Sequence, residues 1–397
     1  MDDIGWELLY GIGRFFAHPL TYLIPVVMFV LGWRRAVRER RDFHTRVFRT
    51  IFDVTAPLLP GLAAGLAGSA AAVLLGVTVP FSFLLLLSLL TGLILLIGRV
   101  KWLSPAFTVS TAVLLALILP LWETGNTRVD SWLQALSSSN YQAVLIWLAV
   151  LIILESVLVF RSARFFTSPM TVKSSRGKWI GAHRMRRIWL LPSVFFVPGG
   201  MIDAVSWWPL VPMGEGGLAL FIFPLAVGGD YTIYHTLPRP ALQQMGRRLF
   251  LLGLAAGAGA ALSFYYPQAV WYTAAAVFVL RAVLQVWRRI EDRGRTPFFQ
   301  PGSRGVKILG VLPESPAAKM GMTAGEIIWK VNHIPVHSKK EFYYALQKNS
   351  AHCRLEVMDT NGERRHVQSA LYDNEHHEIG VLAVKENDDM PASGIQG

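Results

Sequence analysis

The 397-residue chain is 53% hydrophobic and only 16% charged, with a formal net charge of +12 at pH 7. Its apolar residues come in long runs rather than at amphipathic spacing, which excludes an ordinary soluble globule and puts the chain in a bilayer. Lys and Arg cluster between those runs, so the positive excess points to membrane topology and anionic lipids, and no nucleic-acid partner is expected.

The first apolar stretch, residues 20–33, is followed at once by Arg34, Arg35, Arg38, Arg40 and Arg41. A cleavable signal peptide carries its basic residues before the apolar core, so this order predicts an anchor. Further runs at 58–79, 81–97, 105–122, 141–160, 249–266 and 269–287 have the length that a ~30 Å hydrocarbon core demands of a helix. The stretch 188–229 is interrupted by Pro192, Pro198, Gly199, Gly200 and Pro224. It reads as two broken spans or re-entrant segments, which are tolerated only where protein or water meets the freed backbone groups. Seven to nine membrane segments are therefore expected within residues 1–287, forming a polytopic α-helical membrane domain.

Loop charge gives an orientation. Segments 34–49, 161–187, 239–248 and 288–295 are basic, whereas 123–140 and 203–217 together carry one Arg and no Lys. The positive-inside rule makes the basic segments cytoplasmic, and a nine-span count brings every loop into agreement, with Met1 outside and the C-terminus inside. Within the spans, Glu155 is a carboxylate in apolar surroundings and so a functional candidate. It stands about one and a half turns before Arg161, which predicts local pairing or a reach to the interface, and Arg281 is expected to snorkel. Gly253, Gly257 and Ala261 recur every four residues and predict a helix-packing face.

Residues 288–302 read as a basic, proline-containing linker, 303–384 as a small α+β domain, and 385–397 as a disordered polar tail. In the domain, 306–312 is a predicted strand, Ser315 with Pro316 opens a short helix that Gly321 ends, and 327–331 is a second strand. Ser338 to Glu341 is a capping box opening a helix through Lys348, and Asp359-Thr360-Asn361-Gly362 turns a hairpin between 353–358 and 363–369. Cys353 is the chain's single cysteine, which suits a cytosol-facing domain.

Ser315-Pro316-Ala317-Ala318, followed by Gly325-Glu326-Ile327-Ile328 and Val331-Asn332, resembles a bacterial PDZ domain. The resemblance implies β-strand addition of a peptide, with the backbone of a glycine-containing loop holding its terminal carboxylate. The matching loop is Ser303-Arg304-Gly305-Val306, and the opposing helix would offer Phe342, Leu346 and Ala345, unless these are ordinary core residues. His333 stands where many members have Gly, implying an altered turn.

Protease chemistry is the companion question for such a domain. His377-Glu378-Ile379-Gly380-Val381 lacks the second histidine of a zinc-binding His-Glu-x-x-His, and no Gly-x-Ser-x-Gly elbow occurs. Val227-Gly228-Gly229-Asp230 misses the Gly-x-Gly-Asp of intramembrane aspartyl proteases by one glycine, with Asp203 as a candidate partner. No catalytic residue, metal or cofactor is assigned.

The overall design, and the segment from Phe15 to Leu20 through Arg38 to Val47, resemble the MinJ family of cell-division topological determinants. That resemblance implies a multi-pass protein at septa and poles, bridging DivIVA, the marker of curved membrane, to MinD, which with MinC restrains FtsZ. Other divisome proteins and self-association stay open. Two function classes follow: a noncatalytic scaffold, or a PDZ-bearing adaptor or cryptic intramembrane protease that selects substrates. A transporter, suggested by the broken 188–229 region, is a weaker third.

Overall fold

The computed structural model describes residues 2–137, 140–163, 167–174, 177–202, 217–300, 305–348, 352–370 and 379–384. Helices α1 (Asp2–Ala17) and α2 (Pro19–Phe43) meet at His18, whose imidazole accepts from the Leu20 N–H while Pro19 takes the first helical position. Then come α3 (Phe52–Leu75), α4 (Phe81–Ile97), α5 (Pro105–Ile118), α6 (Thr127–Ser137) and α7 (Tyr141–Ser162). Three strands follow, β1 (Ser168–Lys173), β2 (Trp179–Ile202) and β3 (Leu218–Ile233), and then α8 (Pro238–Leu262) and α9 (Ala269–Gly294). Helices α2, α3, α7, α8 and α9 are long and apolar enough to cross a membrane, and α4 and α5 are shorter apolar helices.

Small residues set the helix contacts. A Cβ on Gly253 would lie 2.7 Å from Ile153 and one on Gly246 3.0 Å from the Ser156 carbonyl, so α8 lies directly against α7. Ala256 and Ala260 continue that buried stripe, whereas Ala261, expected on it, is exposed.

The proline-broken region is not helical. Residues 188–202 and 218–229 form most of an antiparallel hairpin in which β2 pairs with β3 from His183↔Ile233 to Pro198↔Leu218, with β1 on the other side of β2's first residues. The prolines explain themselves in this register. Val194 and Phe196 of β2, and Leu220 and Gly228 of β3, turn their N–H groups away from the hairpin partner. Pro192 and Pro198, and Pro224 opposite Pro192, share that two-residue phase, so their missing donors cost the ladder nothing.

An open sheet edge is not tolerated in hydrocarbon, and here both edges are closed by helices. On α3, Gly61 and Gly65 admit the β2 backbone so closely that a Cβ on either would sit 2.6 Å from Leu190 or Pro192. One turn on, Ser69 Oγ accepts from Val194 N and donates to Pro192 O, both at 3.1 Å. The segment after α3 adds a parallel bridge, Val79 N donating to Phe196 O and Phe196 N to Val77 O. The β3 edge is met by α1, where Glu7 accepts from Leu220 N and Arg14 donates to Leu220 O at 2.7 Å.

The hairpin runs the length of the bundle. Arg186 donates to Gly98 O at the C-terminal end of α4, while Phe196 bridges Thr78 at the C-terminal end of α3. The ten residue steps from Arg186 to Phe196 cover about 33 Å at ~3.3 Å each, the thickness of a hydrocarbon core. The two broken segments thus run along the bundle as strands, where helical spans or re-entrant segments were expected.

A buried polar cluster ties β3 to the helices. Glu155 on α7 is fully buried and pairs with Arg281 of α9 at 3.1 Å. Ser104, just before α5, donates to Glu155 at 2.6 Å and accepts from Arg281 Nε at 3.1 Å, and Arg281 also donates to Tyr231 Oη at 2.9 Å. Glu155 therefore does not turn to Arg161 or the interface, and Arg281 does not snorkel. Each finds its partner on a distant helix, which spacing along one helix cannot reveal.

The C-terminal domain comprises β4 (Val306–Val311), α10 (Pro316–Lys319), β5 (Ile327–Val331), β6 (Ile334–Pro335), α11 (Lys339–Gln347), β7 (His352–Met358), β8 (Arg364–Ala370) and β9 (Val381–Ala383). Its sheet order is β8-β7-β5-β4-β9, with β6 paired to β5. Both expected caps form, Ser315 Oγ accepting from Ala318 N and Ser338 Oγ from Glu341 N. His333 follows Asn332 in a turn where both have positive φ, 50° and 70°, so the non-glycine residue adopts a conformation that glycine takes more cheaply.

Candidate functional site

The C-terminal domain is seated on the basic end of the bundle. His183 of β2 is 4% exposed and hydrogen-bonds the Leu309 carbonyl of β4 through Nε2 at 2.7 Å, while Thr167 Oγ1 meets its Nδ1 at 3.0 Å. Burial pushes the His183 imidazole down to about 4, so it is neutral at pH 7. Phe43 and Val47, at and beyond the end of α2, form one buried cluster with Phe299, Leu309, Leu382 and Val384. The linker is part of this seat. Helix α9 continues through the expected linker start to Gly294, Phe298 N donates to Tyr234 O at 2.8 Å, and Gly181 N donates to Phe299 O at 2.7 Å. Lys307 closes over it, donating to Phe298 O at 2.9 Å and lying 4.4 Å above the Phe298 ring.

The loop expected to hold a peptide carboxylate is only partly described. Ser303 and Arg304 lie outside the described residues; Gly305 has φ 115°, and its Cβ would meet Ile328 O at 2.5 Å. Val306 begins β4, which is flanked by β5 on one side and β9 on the other. Strand addition requires an unpaired edge, and β4 has none. Among the described residues, the strand with a single neighbour on this side is β9, preceded by Ile379 and by Gly380 at φ 89°. On α11, Phe342, Ala345 and Leu346 are all buried, in one core cluster with Ile379, Val381 and Ala383 of the β9 segment. The structure thus brings the three helix residues into one cluster with β9 and with Val306 at the end of the expected loop. The signal for β9 in the sequence is only the short apolar run after Gly380, which begins 49 positions after Asn332, the last residue of the recognisable motifs.

Cys353 is also core, 1% exposed, and burial pushes its thiol up to about 12. It is a packing residue and not a reactive thiol.

The remaining chemical candidates separate in space. Asp230 is held by Arg184 through two bonds of 2.8 and 2.6 Å and lies opposite Arg186 in the hairpin. Asp203, His377 and Glu378 lie outside the described residues. Ile202 pairs with the same Leu218 as Pro198, which is twelve strand steps from Arg186, about 40 Å at ~3.3 Å each. Among the described residues, no group of three His, Cys, Asp or Glu side chains is arranged to hold a metal ion.

A family model for the PDZ domain matches residues 307–358, from β4 through β7. Over its whole length the chain is similar to the cell division topological determinant MinJ of Bacillus subtilis (strain 168), 34% identical over 393 residues that cover 98% of each protein. The chain belongs to the MinJ family. Probable MinJ proteins of Lacticaseibacillus paracasei and Lacticaseibacillus casei (strain BD-II) are each 27% identical over 322 residues, covering 76% of this chain and 84% of theirs. The MinJ relationship spans bundle, hairpin and C-terminal domain together, so the seated arrangement falls within the shared region. It also gives the chain a place in cell division as a membrane protein of the Min system.

Proposed function

We propose that this chain is a noncatalytic membrane scaffold that positions division-site regulation at septa and poles. It would bridge a DivIVA-like marker of those sites to MinD, and through it to the MinC-containing inhibitor of FtsZ, using surfaces that include the C-terminal domain. The observation that carries this reading is the full-length MinJ relationship of a chain whose recognition-type domain is clamped onto a membrane bundle. A clamped domain transmits position, which a scaffold needs and a domain on a free tether does not provide. The same geometry favours a cytoplasmic domain, because the seat lies beside Arg34 to Arg49 and Arg184 to Arg187, which the positive-inside rule assigns to the cytoplasm.

Peptide recognition belongs to the same proposal. A partner's strand would add along β9, with Phe342, Ala345 and Leu346 of α11 as the apolar wall on the other side. The test is proximity labelling from the full chain in its native cell, compared with a chain ending after α9. Loss of DivIVA-like and MinD-like neighbours from a truncated chain that still inserts supports the scaffold. Unchanged labelling moves recruitment to the membrane domain, and a cleaved substrate that accumulates only with the full chain would replace the scaffold by a protease.

A further inference from the structure

The basic end of the bundle contains a cavity of about 170 Å³ that the seated C-terminal domain does not use. Six arginines line it: Arg34, Arg35 and Arg38 from α2, and Arg184, Arg186 and Arg187 from β2. Asp53 is the one carboxylate on its wall, with Glu39 and Asp230 bonded just behind. Guanidinium groups thus outnumber carboxylates two to one.

The carboxylates are also unevenly spent. Arg35 takes both Asp53 (2.6 Å) and Glu39 (2.8 Å), and Arg184 takes Asp230 through two bonds. Arg38 is left with the Ser168 hydroxyl at 2.8 Å, and Arg186 with the Gly98 carbonyl and a long 3.7 Å approach to Asp230. Arg34 is exposed at the rim. Burial, opposed by Asp230 and reinforced by Arg184, Arg34 and Arg38, holds the Arg186 guanidinium below its ordinary value. An anion in the cavity would relieve that repulsion.

Size and surroundings narrow the anion. The volume is below the ~300 Å³ at which sites for whole small molecules begin, which suits a phosphate group and its immediate substituent. Leu31 and Phe48 form an apolar part of the lining, and on the outward face of the same helix Val30, Trp33 and Val37 are exposed. Alternating apolar and arginine positions mark the level at which α2 leaves the hydrocarbon, where lipid phosphates lie. A neighbouring cavity of about 520 Å³ shares Arg184 and Arg186 and adds Arg99, Lys101, Arg288 and Arg289, which extends the positive field along the same level.

We propose that the arginine cavity between α2 and β2 binds the phosphodiester of an anionic phospholipid. Arg34, Arg38 and Arg186 hold the phosphate oxygens through charge-assisted, fork-shaped hydrogen bonds, and Leu31 guides the glycerol end towards the acyl region. The site makes the chain sensitive to local lipid charge, independently of what the C-terminal domain recruits.

The experiment uses the full chain, delipidated in neutral detergent, with thermal stability and native mass spectrometry as readouts. Phosphatidylglycerol should bind saturably and raise the melting temperature, while phosphatidylcholine and inorganic phosphate at equal concentration should not. Arg34→Gln, at an exposed rim position, and Arg186→Gln should each weaken phosphatidylglycerol binding about tenfold, the equivalent of one charge-assisted bond. Arg247→Gln, which removes an exposed charge from α8, should leave it unchanged; the exposed Arg34 variant decides the matter if Arg186→Gln fails to fold. Equal effects of the two lipids, or undiminished binding by Arg34→Gln, would overturn the site. Saturation by inorganic phosphate alone, or tighter binding of a phosphoserine peptide, would overturn its assignment to lipid.

Discussion

Removing one member of the Glu155–Arg281 pair should damage the protein far more than removing both. At 3.1 Å the two charges attract by about 5 kcal/mol at an effective dielectric of ~20. Their burial, at 0% and 1% exposure, costs a comparable amount in lost hydration, so the pair as a whole contributes little net stability. Glu155→Gln keeps the shape but leaves the buried Arg281 guanidinium with neutral partners alone, the Gln carbonyl and the Ser104 and Tyr231 hydroxyls. An uncompensated buried charge costs roughly 3–5 kcal/mol. By the scaling of domains of 150–250 residues, that is a fall of about 6–20 °C in melting temperature. Arg281→Met should cost a similar amount by leaving the carboxylate alone. The double variant Glu155→Leu with Arg281→Met should return to within about 2 kcal/mol of the parent, because well-packed apolar side chains replace buried ion pairs at little cost. Thermal unfolding of these proteins and of Glu155→Leu alone, in one detergent, completes the cycle. A Glu155→Gln protein that melts with the parent would refute the reasoning, since it would mean that water already reaches the pair. The cycle also bears on function, because a folded double variant should still localise to division sites if the cluster is structural, and should not if Glu155 carries chemistry.

Three further outcomes are expected. Gly65→Val should prevent α3 from closing the β2 edge, since its Cβ has only 2.6 Å to Pro192, and loss of the folded protein in detergent gel filtration checks this, with Gly13→Val, which meets nothing within 4 Å, as the tolerated control. In a Cys353→Ser background, Asn126→Cys should react with an impermeant thiol reagent in intact cells and Tyr344→Cys only after permeabilisation; the reverse pattern would invert the topology. Native Cys353 cannot serve as that probe, because it is 1% exposed and its thiol is pushed up to about 12. Acidification should loosen the seat of the C-terminal domain: His183 sits at about 4 in the fold against 6.5 unfolded, so its contribution is complete above pH 6.5 and is lost as pH falls towards 4. By pH 5 this single group costs about 2 kcal/mol, which chemical denaturation at pH 7.5 and pH 5 should register and His183→Gln should abolish.

The helices were legible because a membrane helix satisfies its own backbone and needs only a long apolar run, as at Tyr141–Ser162. The C-terminal elements were legible because caps and turns are local, as Ser338 with Glu341 and Asp359 with Gly362 illustrate. The hairpin was hidden for the converse reason. Its backbone is satisfied by partners far away in the chain, Ser69 on α3 and Glu7 on α1, and nothing near Pro192 announces them. The same distance hid the partner of Glu155 and the strand beside α11. The sequence does hold one signal of the hairpin: Pro192 and Pro198 are an even six positions apart, and the glycines of α3 at 61 and 65 are followed by Ser69 at their own interval of four. Two prolines in one strand phase need an edge whose donors point outward, and a helix with small residues every fourth position can lie against such an edge. Taken together, those two spacings pair a strand with a helix across more than a hundred residues, whereas each alone reads as an interrupted span and an ordinary helix-packing face.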